Sequence, residues 1–214
     1  MDETRYRELT PMHIMLVRHG ETAYNAIGRY QGHMQISLND TGFAQATRVG
    51  ERLRQHHFAA IYSSDLLRAV QTATAIATHH HQPVIELAGF REIDVGLWEH
   101  LTVAEIAAQF PTDFAAYRTK PGRTIYTGGE SYAQMQTRAM QALTTIMQRH
   151  NEQDTICVVC HGGTIRAIVC AVLDLDIDNY TQMWIDNCAL TTLIQQHGKL
   201  RLGNLNDNAH AEIH

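Results

Sequence analysis

Along the 214 residues, short unbroken apolar runs alternate with longer stretches in which apolar positions recur every third or fourth residue. The runs are strand-sized, and the stretches have the period of an amphipathic helix. Ile14-Met15-Leu16-Val17 predicts a buried strand over about 13–17, and 20–38, which has no clean period, reads as a loop. Asn39 then caps a helix with Phe43, Ala46, Val49 and Leu53 on one face. Ala59-Ala60-Ile61-Tyr62 predicts a second strand, ended by Ser63-Ser64, and Asp65 opens a helix carrying Leu67, Val70 and Ala73-Thr74 on one face. Val84-Ile85-Glu86-Leu87 predicts a third strand.

Thr102 and Glu105 form a capping box for a short helix that stops at Pro111, with another short helix over 112–117. Gly128-Gly129 marks a turn before a long helix over about 130–150, with Tyr132, Met135, Ala139, Leu143 and Ile146 facing inward. The most apolar run, 155–160, is a fourth strand. It leads directly into a helix with Ile165, Ile168, Val169 and Val172 on its buried side. Two closing strands are expected over 189–195 and 200–205.

Strands alternating with helices imply a single α/β domain, a three-layer sandwich with a mostly parallel central sheet and helices on both faces. The expected division is an extension over 1–12, the domain over 13–206 and a tail over 207–214.

Composition narrows the function. The net charge of −5 argues against nucleic-acid binding, which needs a basic field. No apolar run is long enough to span a membrane, so no membrane partner is expected. The segment MDETRYRELTPM lacks the apolar core of a secretory signal, and a cytoplasmic location is expected. Cys157 and Cys160 have a C-x-x-C spacing that suits metal or redox chemistry. On a strand, however, residues three apart point to opposite faces, and these two, with Cys170 and Cys188, read as buried reduced thiols. Among the fourteen histidines, His56-His57 and His79-His80-His81 end predicted helices, where imidazole is electrostatically comfortable, and His210 and His214 lie near the carboxyl terminus. None has carboxylate or cysteine partners at ligand spacing, so no metal or other cofactor is expected.

Candidate chemistry gathers at strand ends. Arg18-His19-Gly20 follows the first strand, and His161-Gly162-Gly163 follows the fourth at a helix start, where free backbone amides bind anions. Arg68 sits in the first turn of a helix, a poor place for a cation unless there is an anion to hold. Glu92 lies just past the third strand. A parallel sheet puts these strand ends on one edge, where ligands bind. Two guanidiniums, two imidazoles and helix-end amides suit a tetrahedral dianion, and the carboxyl group is a candidate proton donor. The plainer alternatives are a surface turn with Arg18-His19 near Glu21, and an exposed Arg68 paired with Asp65.

LVRHGET, SSDLLRAVQTA (63–73), REIDVGLWE (91–99), GGES (128–131) and CHGG (160–163) resemble, in order, the motifs of the histidine phosphatase superfamily, which includes the cofactor-dependent phosphoglycerate mutases. The resemblance runs from about 14 to 194. It implies that His19 is phosphorylated as nucleophile, that Arg18, Arg68 and His161 bind the phosphoryl oxygens with Asn25 and the Gly162 amide, and that Glu92 protonates the leaving oxygen and then activates water. Gln31 and Gly32, in the loop after His19, are further substrate-binding candidates. The chain departs from the family pattern at Gln35, where many members carry Asp, at Ser37, where Pro is common, and at His100, where Gly is usual.

The segment after Glu92 is shorter than in the mutases, and Trp98-Glu99 matches phosphatase-like members. Metal-independent hydrolysis of a small phosphorylated metabolite is therefore expected, ahead of mutase-type transfer. Arg118, Lys120 and Arg123 remain candidates for a second anionic group. A phosphate-binding module without turnover would not need Glu92, and a metallohydrolase using the histidines would be sensitive to chelator. Tyr24, Ile27, Met34, Tyr117, Ile125 and Tyr126 are candidate pocket-wall residues.

Overall fold

The computed structural model describes residues 11–210. In chain order the strands are β1 (Met12–Arg18), β2 (Ala60–Ser63), β3 (Val84–Glu86), β4 (Thr155–Cys160), β5 (Leu190–Gln196) and β6 (Lys199–Asp207). The helices are α1 (Ala23–Ala26), α2 (Asp40–Leu53), α3 (Leu67–Ala77), α4 (Val103–Gln109), α5 (Pro111–Thr119), α6 (Tyr132–Met147) and α7 (Gly162–Val172), with short 3-10 segments over Ala88–Phe90, Gly96–Trp98 and Ile177–Gln182. No helix among the described residues is long and apolar enough to cross a membrane.

The six strands form one sheet in the order β3-β2-β4-β1-β5-β6. The first four are mutually parallel, whereas β5 and β6 close the sheet in antiparallel fashion. Alternation along the strands divides the apolar residues between two faces. Ile14, Leu16, Ile156, Val158 and Cys160 pack with Ala139 and Leu143 of α6 and Ile165 and Ile168 of α7. On the other side Val17, Ile61, Cys157 and Val159 pack with Val49 and Leu53 of α2 and Ala73 and Ile76 of α3. Helices thus cover both faces, as expected. Cys157 and Cys160 lie in opposite cores, and all four cysteines are free and buried. A third cluster, centred on Trp98, Tyr126 and Tyr132, carries α4 and α5.

Local signals explain most element boundaries. Asn39 accepts from the Gly42 amide at 2.8 Å and starts α2, and Thr102 and Glu105 form the expected capping box. Ser131 and Gln134 form another, so α6 starts at Tyr132 rather than at 130 and ends at Met147, short of the expected 150. All five residues expected inward on α6 are buried.

Two helix faces differ from expectation. Phe43 is 46% exposed, and α2 instead buries Gly42, Ala46, Val49, Gly50 and Leu53. Helix α3 opens after Leu66 rather than at Asp65. It buries Arg68, Ala69, Thr72, Ala73 and Ile76, leaving Leu67 and Thr74 exposed. The cause is close helix packing. A Cβ at Gly50 would lie 2.9 Å from the carbonyl oxygen of Ala75, so α2 and α3 meet through small residues and the larger apolar ones are displaced.

Of the expected 1–12 extension, 1–10 lie outside the described residues, whereas Met12 is buried and pairs with Gln195. At the other end β6 reaches Asp207, whose carboxylate meets Arg52 at 2.6 Å. His210 Nε2 lies 3.0 Å from the Cys188 carbonyl, and His214 lies outside the described residues.

Candidate active site

Strands β1 and β4 are adjacent and parallel, with Arg18 opposite Cys160. The residue after each pair is a histidine, and the His19 amide donates to the Cys160 carbonyl at 3.0 Å. Register alone therefore brings the two imidazoles together, with ring centroids 5.1 Å apart and planes at 60°. Both are buried.

His19 Nδ1 lies 2.6 Å from the Gly20 carbonyl oxygen. A carbonyl only accepts, so Nδ1 carries the proton and Nε2 keeps its lone pair. Gly20 is required because a Cβ there would lie 2.5 Å from the Gly42 carbonyl oxygen. Burial, then Arg68 and Arg18, hold His19 well below the ordinary imidazole value of 6.5. Burial and the same cationic surroundings do so for His161. Both rings are neutral near pH 7. His161 Nε2 meets Ser64 Oγ at 2.9 Å, and its Nδ1 is buried without a partner among the described residues.

The two arginines are held by backbone carbonyls. Arg18 Nη1 donates to Ile185 at 2.6 Å. Arg68 donates to Met34 and Gly32, both at 2.9 Å, and burial lowers its pKa to about 10. The Nε of each is buried and unpartnered among the described residues. Asp65 pairs with Arg91 at 2.5 Å, which removes the alternative of an exposed Arg68 paired with Asp65. Glu92 accepts from Gly163 N at 3.0 Å and from Ile93 N at 2.9 Å.

A cavity of about 360 Å³ is lined by eight of the nine expected residues: Arg18, His19, Asn25, Gln31, Gly32, Arg68, Glu92 and Gly162. The ninth, His161, reaches the site against the ring of His19. Asn25 closes a capping box with Thr22, and Gln31 Oε1 accepts from Thr22 Oγ1 at 2.9 Å. Gly32 has φ +51°, and a Cβ there would lie 2.4 Å from Glu99 Oε1. No group of three or more His, Cys, Asp or Glu among the described residues is placed to hold a metal ion.

Other expectations need correction. Tyr117 and Tyr126 line the cavity, but Tyr24, Ile27, Met34 and Ile125 do not. Ile27 and Ile125 are 59% and 60% exposed. Arg118, Lys120 and Arg123 are also outside the lining, and Arg123 is occupied by Asp176 and Asp178, each at 2.6 Å.

The further cations lining the cavity are Arg29, which pairs with Glu105 at 2.9 Å, and Arg166, whose Nε is buried with no partner among the described residues. Arg166 lies one helical turn after Gly162, so the i, i+4 spacing was its available signal. Nothing local marked Arg138. From α6 it donates to the carbonyls of Gly89, Arg91 and Glu92 at 3.0, 2.8 and 2.7 Å, and it pairs with Glu130 at 2.6 Å.

The three departures from the family pattern have structural places. Gln35 Oε1 accepts from the Leu67 amide at 2.7 Å and caps α3 from the loop. Ser37 bonds Gln71, and His100, at φ +68°, meets the Tyr24 hydroxyl at 2.6 Å.

The model of the histidine phosphatase superfamily (branch 1) matches residues 14–208. Phosphoserine phosphatase 1 of Hydrogenobacter thermophilus is 33% identical over 92% of this chain and 93% of its own. The metal-independent phosphoserine phosphatase of Arabidopsis thaliana is 42% identical over 72% of this chain and 66% of its own. The solved structure of a phosphoserine phosphatase mutant from Entamoeba histolytica in complex with phosphoserine superposes with a TM-score of 0.85, at 30% identity, covering 94% of this chain and all of that one. The family match runs from within β1 to just past β6, and the chain belongs to the histidine phosphatase superfamily as a phosphoric monoester hydrolase acting through a phosphohistidine intermediate on small phosphorylated metabolites.

Proposed function

We propose that the substrate is a small phosphorylated acid of the phosphoserine kind and that His19 Nε2 is the nucleophile. The observation that carries the second assignment is the bond from His19 Nδ1 to Gly20, which leaves Nε2 unprotonated in a ring whose pKa is lowered by burial and by Arg68 and Arg18. In the first step Nε2 attacks phosphorus, a P–N bond forms and the ester P–O bond breaks. Glu92 gives a proton to the departing oxygen. In the second step the Glu92 carboxylate takes a proton from water as that water attacks phosphorus, and the P–N electron pair returns to Nε2. Arg18, Arg68, His161, Asn25 and the Gly162 amide hold the phosphoryl oxygens while negative charge is redistributed, and Gln31 and Gly32 complete that wall. No metal enters these steps, in keeping with the name of the Arabidopsis relative.

The acid is assigned through Arg166. It lines the cavity with a buried, unpartnered Nε, and a carboxylate on the leaving group satisfies it. The two relatives named as phosphoserine phosphatases support the same choice. Four buried free thiols fit a reducing compartment, and the cytoplasm completes this reading.

The test compares phosphoserine with phosphoethanolamine, which differs only in lacking the carboxylate. We expect kcat/KM to favour phosphoserine by about 10²-fold, a charge-assisted pair being worth roughly 1.5–3 kcal/mol, and Arg166→Gln to remove most of that preference. Equal values for both substrates in the wild type overturn the assignment of the acid. Rapid quenching with labelled substrate should trap an acid-labile, base-stable phosphoryl group, absent from His19→Ala. Its absence from the wild type would overturn the nucleophile.

A further inference from the structure

Ser64 directly follows β2, fully buried, with no place in the steps above. Its Oγ has two partners: the Leu66 amide at 3.3 Å and His161 Nε2 at 2.9 Å. The first can only donate. A fully buried hydroxyl must itself donate, because an unsatisfied one costs about 1–3 kcal/mol. His161 Nε2 is the one acceptor among its bonded partners in the described residues.

We infer that Ser64 is a positioning residue that sets the tautomer of His161, holding Nε2 as acceptor so that the proton resides on Nδ1 and is presented to the phosphoryl group. The hydrogen-bond chain runs in one direction. The Leu66 N–H donates to Ser64 Oγ, the Ser64 O–H donates to His161 Nε2, and His161 Nδ1–H is left for the ligand. The geometry at the far end agrees, since Nδ1 is buried and lacks any protein partner. A ring in the opposite tautomer would turn a bare lone pair toward an anionic oxygen, which repels it, and would strand the Ser64 proton.

Neutrality is what makes the tautomer matter. Burial and the surrounding cations keep His161 uncharged in the free protein, so only one of its nitrogens carries a proton. The inference also explains why a small hydroxyl residue stands just past a fully buried strand. Ser64 is tied there by its own amide, which donates to the Val159 carbonyl at 2.8 Å.

This inference rests on the proposed role of His161 as a phosphoryl ligand, and the experiment separates the two. Long-range proton–nitrogen correlation spectra of the full chain, with His161 assigned by substitution, report which ring nitrogen is protonated. We expect Nδ1–H with a bare Nε2 in the free wild type. Ser64→Ala should lower kcat/KM and vanadate affinity by about 10–100-fold, by analogy with the outer-shell partners that orient metal-ligating imidazoles. Ser64→Thr, which keeps the hydroxyl, should recover most of both. An Nε2–H tautomer in the wild type overturns the inference, and so does a Ser64→Ala protein with unchanged rates and vanadate affinity. Should Ser64→Ala fail to fold, the wild-type spectrum still decides. His161→Gln with wild-type vanadate affinity would instead remove His161 from the phosphoryl site, whatever its tautomer.

Discussion

Glu92 Oε2 accepts from the Gly163 amide at 3.0 Å, and a side chain on Gly163 would collide with the same carboxylate, its Cβ lying 2.3 Å from Oε1 and 2.9 Å from the Tyr132 hydroxyl. The candidate acid is thus docked on the first turn of the helix that follows His161. Gly163→Ala should displace Glu92 while leaving the phosphoryl-binding groups in place. We expect kcat/KM on phosphoserine to fall about 10²-fold, near the low end of general acid–base catalysis, with vanadate affinity nearly unchanged. Wild-type turnover would show that the carboxylate is not held by this contact.

Glu92→Gln tests the acid directly. An alkoxide leaves only with a proton, whereas nitrophenolate leaves without one. Loss on alkyl phosphates should reach roughly 10²–10⁴-fold, or about 3–5 kcal/mol of barrier, with a much smaller loss on p-nitrophenyl phosphate when release of the first product is followed. Equal losses on both would assign Glu92 to positioning alone.

The buried histidines make stability depend on pH. His19 and His161 titrate well below 6.5 when folded and near that value when unfolded. Below about pH 6.5 the unfolded chain therefore binds more protons, and stability falls as pH falls. Each histidine contributes up to ~1.4 kcal/mol per pH unit while its unfolded form is protonated and its folded form is not. His80 and His210, also lowered, act in the same direction. Urea unfolding at pH 7, 6 and 5 should show this slope, and it should be shallower in His19→Asn/His161→Asn. Identical slopes in the two proteins would contradict the assignment.

Arg138 gathers three carbonyls of the Glu92 segment and the Glu130 carboxylate onto α6. Arg138→Met keeps the stem and removes the donors. Half-buried hydrogen bonds to a charged group suggest a loss of about 2–3 kcal/mol, read as a lower urea midpoint. A fall in kcat that exceeds any change in KM should accompany it, because the segment carries the acid. An unaltered midpoint would mean that the clamp is made equally well by water.

Much of the site was legible because it is local in sequence. His19 and His161 follow apolar runs directly, and any parallel sheet brings such strand ends to one edge. An electrostatic clue singled out Arg68, which lines the cavity, although its burial on the inner face of α3 was not foreseen. Apolar periodicity located α6 and its whole buried face. The same device misread α2 and α3, because it favours large residues, and those helices meet through glycine and alanine.

By itself, then, the sequence determined the main strands and helices, a mostly parallel sheet and the residue types delivered to one sheet edge, since each follows from spacing and from groups a few residues apart, whereas α1 inside the 20–38 loop and the strand order were not legible. Tertiary structure alone decided how these groups are paired. Arg123 is taken up by two aspartates while Arg166 keeps a buried Nε without a partner. Arg138 reaches carbonyls 46 to 49 positions away, and Ser64 meets His161 across 97. Hydrogen bonds and ion pairs between distant segments depend on which side chains the packed core brings within about 3 Å, and neither periodicity nor composition carries that distance.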